Sequence, residues 1–74
     1  MHPLSPRQLD ALYWAAHGKT AWETAQILNV SEGTMKYHRD NAVTAMESRN
    51  LIQAVAKAVA RGVINPDEGG RQKP

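Results

Sequence analysis

Residues 18–38 read GKTAWETAQILNVSEGTMKYH. Three helix boundaries are written into this stretch. Gly18 can close one helix, and Thr20 can cap the next, with Glu23 three residues on to complete a capping box. Asn29 can close that second helix, and Ser31 can cap a third. A helix of about eight residues held between two tight turns has the spacing of a helix-turn-helix, in which a short helix braces a longer one.

Working outward, Ser5 reads as an N-cap, with Pro6 at the first helical position and Gln8 closing a capping box. These signals predict helices over 6–17 and 21–28, and a third from after Ser31 to about Glu47. Met35, Ala42 and Met46 share one face of the third. Ser48 is the expected cap of a fourth helix, running to about Arg61 with Gly62 as its stop. No strand pattern or internal repeat competes, so the expected fold is all-α, four helices without a wing. Residues 1–64 form the domain. Residues 65–74 (NPDEGGRQKP), polar with two Gly and two Pro, are expected to be a disordered C-terminal tail.

The fourth segment carries two apolar stripes. Leu51, Ala54, Val55 and Ala58 form one; Ile52, Ala56, Val59 and Val63 form the other. Either the helix is buried all round, or one stripe packs inward and the other pairs with a second subunit. A chain of 74 residues has little room for the first option, so Ile52, Ala56, Val59 and Val63 are the expected homodimer interface. The first helix also has two apolar faces: Ala11, Leu12 and Ala15 on one, Leu9, Tyr13 and Ala16 on its neighbour, with Trp14 beside them.

Composition narrows the function classes. Eleven of the 74 residues are Ala and none is Phe, which predicts close helix packing over a thin core. There is no Cys, which excludes disulfides and thiolate metal sites. His38 has no second His at ligand spacing, His2 and His17 being far off in the chain, so no metal or cofactor is expected. No catalytic constellation or phosphate-binding Gly-rich loop is present, and an enzyme is not expected. The opening MHPLSPR does not resemble a signal peptide, and no segment is long and apolar enough to span a membrane, so the expected location is the cytoplasm, on the nucleoid. A pI near 9.3 and a net charge of +2 are compatible with nucleic acid without establishing it.

The ordered motifs resemble the LuxR-type (GerE-like) helix-turn-helix domain of bacterial transcription regulators. LSPRQ is similar to the family's L-T-P-R-E, and GKTAWETAQIL to G-K-S/T-x-x-E-I-A-x-x-L. VSEGTMKYH resembles L/V-S-x-x-T-V-K-x-H, with Met35 in place of Val, and QAVAKAVARGVI resembles the family's last helix and its ending. The match runs from about Leu4 to Ile64, and the Trp22–Glu23 pair resembles the quorum-sensing branch. The resemblance implies double-stranded DNA as partner, the third helix as reader, and a two-fold dimer through the fourth. It also implies a sensing domain upstream in a full-length regulator.

By the same resemblance, Lys36, Tyr37 and Asp40 reach bases. Lys36 can donate to guanine O6 or N7, Tyr37 can touch a base or a phosphate, and Asp40 can accept from cytosine N4. Ser31 and Thr34 can bond their own helix start or a phosphate. Lys19, Thr20 and Trp22 sit where the backbone is gripped, Trp22 being open to either a phosphate contact or core packing. Arg39 and Arg49 are further phosphate contacts. The chain departs from the family at Thr44 and Ala45, where Arg-Lys is common, at Leu51, often Arg, and at Glu47, often Gly or another small residue. From Ser31 to Arg49, Lys36, Arg39 and Arg49 are balanced by Glu32, Asp40 and Glu47, and Gly33 costs the third helix roughly 1 kcal/mol relative to Ala. These departures predict weak, salt-sensitive binding by the isolated domain. They also motivate an alternative: a stand-alone interaction domain that pairs with a full-length LuxR-type regulator and inhibits it.

Overall fold

A computed structural model describes residues 4–68; residues 1–3 and residues 69–74 of the expected tail lie outside the described residues. Four α-helices follow in order: α1 (Pro6–Ala16), α2 (Ala21–Leu28), α3 (Glu32–Ala45) and α4 (Leu51–Ala60). Pro66–Glu68 adds a 3-10 turn, so the first part of the expected tail carries regular structure.

The N-termini are set by side chains. Ser5 and Thr20 each form a full capping box, with Gln8 and Glu23 respectively, and Ser31 Oγ accepts from the Thr34 N–H. The cap of α4 is Asn50 rather than Ser48: Asn50 Oδ1 accepts from the Gln53 N–H at 2.8 Å, and Gln53 Oε1 accepts from the Arg49 N–H at 2.6 Å.

The reason lies in how the preceding helix ends. Glu47 N–H donates to Thr44 O at 2.9 Å and Ser48 N–H to Val43 O at 3.0 Å, the paired bonds of a Schellman ending. The backbone of Ser48 is therefore committed to closing α3, and the new helix begins two residues later. The same pair of bonds closes α1 at Gly18, α2 at Asn29 and α4 at Gly62. The residue at the turn is left-handed each time, with φ of 78° at Gly18, 59° at Asn29, 53° at Glu47 and 72° at Gly62. Glu47 is the costly member, because a side chain in this region clashes with the following carbonyl. Glycine, with no Cβ, would be free of that clash.

Packing follows from small residues. Leu4, Leu12, Ala42, Met46, Ala54, Ala58 and Ile64 form one buried cluster; Ala11, Ala25 and Met35 form a second. Leu12 and Met35 are the largest fully buried side chains. With Ala at so many contact points, α1 packs against each of the other three helices, and α3 against each as well. A buried Asp10 is held by Arg7, Oδ2 to Nη1 at 3.1 Å. Thr24, also buried, donates its hydroxyl to Thr20 O at 2.8 Å, which satisfies it without leaving the helix.

A side chain of α4 secures the end of α3. Lys57 Nζ donates to Glu47 O at 2.7 Å and to Met46 O at 3.4 Å. A cation at the negative end of a helix is favourable, and it satisfies carbonyls left without partners in the helix.

The two stripes of α4 separate. Leu51, Ala54, Val55 and Ala58 lie on the inner cluster. Ile52, Ala56 and Val59 face outward, Ile52 with 82% of its surface exposed. Val63 does not belong with them. The helix ends at Ala60, the chain turns at Gly62, and Val63 folds back half-buried onto the inner cluster. A helical period extended past the end of the helix misassigns it.

Candidate nucleic-acid interface

The inner side of α3 is fixed by Met35 and Ala42, both fully buried. Helical geometry then turns Lys36, Tyr37 and Asp40 outward, and all three are exposed, Tyr37 at 64%. Arg39 is half-buried. His38 is also half-buried, its ring 5.7 Å from that of Tyr37.

At the start of α3, Ser31 Oγ accepts from the Thr34 N–H at 3.1 Å and donates to Thr34 Oγ1 at 2.8 Å. The Ser31 proton is thereby spent inside the cap. Thr34 accepts in that bond, so its own hydroxyl proton can be given outward. Thr20 is similar: its Oγ1 accepts from the Glu23 N–H at 3.0 Å, and its N–H donates to Glu23 Oε1 at 2.9 Å. The latter bond is the chief reason the Glu23 carboxyl is held below the ordinary glutamate range. Trp22, next in α2, is 56% exposed, so core packing is not its role.

A cleft of about 310 Å³ gathers Lys36, Arg39 and Asp40 from α3 with Arg49 and Asn50 ahead of α4 and Ala21 at the head of α2. Three basic groups meet one acid there. A second cleft of about 480 Å³ joins Lys19, Thr20 and Arg39 to Ile52 and Val55 of α4. Arg39 lines both, so the polar face of α3 and the apolar face of α4 are continuous around it. Trp22, Ser31, Thr34 and Tyr37 line neither cleft; they form the open surface over the starts of α2 and α3.

Two features were not singled out in the sequence. Lys57 gives no local signal, because its partners are carbonyls ten and eleven residues away. Glu32 figured only in the charge balance. It lies 3.7 Å from Lys36 Nζ through its Oε2, and an acid four residues before a base on a helix was the available signal. Among the described residues no group of His, Cys, Asp and Glu is placed to hold a metal ion. No described helix is long and apolar enough to cross a membrane.

Two capped helices across a left-handed turn, the second with a buried inner face and an open polar outer face, define a helix-turn-helix domain. The chain belongs to the luxR family of bacterial regulatory proteins, whose profile matches residues 2–58. It is 48% identical over 63 residues to the transcriptional activator protein VanR of Vibrio anguillarum, covering 85% of this chain and 26% of that protein. It is 46% identical over 61 residues to the HTH-type quorum sensing-dependent transcriptional regulator RpaR of Rhodopseudomonas palustris, covering 82% and 25%. The chain thus spans about a quarter of the length of these relatives. Among solved structures, Escherichia coli SdiA superposes with a TM-score of 0.78 at 35% identity, over 85% of this chain and 26% of that one. The transcription factor GerE superposes with a TM-score of 0.80 over 86% and 96%, at 19% identity, a likeness of fold.

Proposed function

We propose that this domain binds double-stranded DNA sequence-specifically, as a two-fold dimer through α4, with the start of α3 in the major groove. The observation that carries the reading is the outer face of α3. Lys36, Tyr37 and Asp40 stand exposed on a helix whose other side is locked by Met35 and Ala42. A polar face on a rigid helix is what base readout requires. Lys36 donates to guanine, Tyr37 lies against a base or the backbone, and Asp40 accepts from cytosine. Lys19, Thr20, Trp22, Thr34, Arg39 and Arg49 hold phosphates and set register, while Ser31, its hydroxyl proton given to Thr34, serves by fixing the start of α3. The exposed Ile52, Ala56 and Val59 pair with the same stripe of a second copy, the self-complementary contact of a two-fold axis.

The charge balance between Ser31 and Arg49 makes the binding weak and salt-sensitive in a single domain, and pairing two domains offsets this. A regulator of the relatives' length has room for a separate sensing domain upstream, which the full open reading frame around this chain decides. Fluorescence titration against two-fold symmetric operators, at low and moderate salt, tests the proposal. Equal affinity for operators and scrambled duplexes rules out specific readout.

The same charge balance, together with the exposed α4 stripe, favours a second reading. Here the domain pairs through α4 with a full-length regulator of its own family and inhibits it. Co-purification with such a regulator, without specific DNA binding by the domain, distinguishes this outcome.

A further inference from the structure

Glu32 opens α3 and Lys36 stands one turn on, with Oε2 and Nζ 3.7 Å apart. Both side chains are open to solvent, Lys36 at 65% and Glu32 at 46%. An acid at a helix start followed by a base four residues later is the favourable order. An exposed pair of this kind contributes little to folding. Its effect is to present a cation and an anion side by side at the end of α3 proposed to enter the groove.

A G·C pair shows a matching pattern in the major groove. Guanine N7 and O6 are adjacent acceptors at one side, and the cytosine N4 amine is the donor beside them. An A·T pair alternates instead: its adenine N6 donor lies between the acceptors N7 and O4, with a methyl group at the far edge. A carboxylate aimed at that donor meets lone pairs on both sides. The segregated G·C edge suits two opposite charges, and the alternating A·T edge does not.

We infer that Glu32 and Lys36 read one G·C pair together, Lys36 Nζ donating to guanine N7 and O6 while Glu32 accepts from cytosine N4. The inference rests on the proposal that α3 enters the major groove. Glu32 contributes discrimination more than affinity. Its charge is repelled by phosphates on any DNA, and opposite the wrong base it is left desolvated without a donor.

The test begins with duplexes selected by the wild-type chain from a randomised two-fold symmetric library. Each position of the selected site is then changed to every other base pair, and affinities are measured for wild type, Glu32→Ala and Lys36→Ala. Circular dichroism checks that both variants keep the helix content of the wild type. Lys36→Ala identifies the position that Lys36 reads. The expected result is that Glu32→Ala lowers discrimination about tenfold at that same G·C position and leaves the others unchanged. If Glu32→Ala tightens binding to all sequences alike, the acid only repels the backbone and the inference is overturned. Relaxation at a different position, or at none, overturns it as well. If the wild type enriches no sequence, the DNA-reading proposal itself fails, and the shared readout falls with it.

Discussion

Helices α3 and α4 bury similar faces and expose opposite ones. Inward, both rely on small or unbranched residues: Met35, Ala42 and Met46 around α3, Ala54 and Ala58 on α4. Outward, α3 shows Glu32, Lys36, Tyr37 and Asp40, while α4 shows Ile52, Ala56 and Val59. The inner faces explain why the fold exists and leave its use undetermined. The outer faces do the reverse. Substitutions on the two sides should therefore separate cleanly into stability effects and binding effects.

The largest effect belongs to the inside. Met35→Ala removes one of the two largest fully buried side chains and is expected to cost about 2–5 kcal/mol in urea unfolding. That is a large share of the total for a domain of this size. On the outside, Lys36→Ala should leave unfolding nearly unchanged while costing about 1–3 kcal/mol of discrimination at one base position. Ile52→Ser should weaken self-association by about 1–2 kcal/mol, read by sedimentation equilibrium in an analytical ultracentrifuge, through loss of an apolar contact. Its effect on monomer stability should stay within about 0.5 kcal/mol. A large unfolding change from either outer variant would break the comparison.

Between the two helices, Glu47→Gly should raise stability by about 0.5–1 kcal/mol. Relief of the left-handed strain exceeds the added freedom of the unfolded chain, and the carbonyl that Lys57 bonds is kept. The smallest effect concerns Glu23. Its folded carboxyl titrates below its unfolded counterpart, chiefly because the Thr20 N–H donates to it. Its contribution is complete above the unfolded pKa and is lost as pH falls through the folded one. An acid titration of stability should therefore be flatter for Glu23→Gln than for the wild type.

Much of the architecture was legible because its signals are local. Ser5, Thr20 and Ser31 act within three residues of themselves, and α2 begins and ends where its caps place it. Ser48 has the side chain of a cap, but its backbone closes α3, a commitment that residue type alone does not reveal. Val63 lies beyond Gly62, the stop that the sequence itself marks, so the helical period of α4 does not reach it. The exposure of Trp22 was undecidable from the chain, since an indole suits a core and a surface equally. The outer faces of α3 and α4 could be listed from the sequence, and of the stripe expected to face outward on α4, Ile52, Ala56 and Val59 do so.

The bond from Lys57 to the last carbonyls of α3 has a mechanical consequence. It holds one end of a 14-residue helix, and the charged pair sits at the other, roughly 20 Å away at 1.5 Å per residue. Near that far end Met35 is buried with Ala11 of α1 and Ala25 of α2, so the helix is held at both ends rather than pivoting at α4. The exposed pair therefore stands on a strut whose length and direction are set by three other helices.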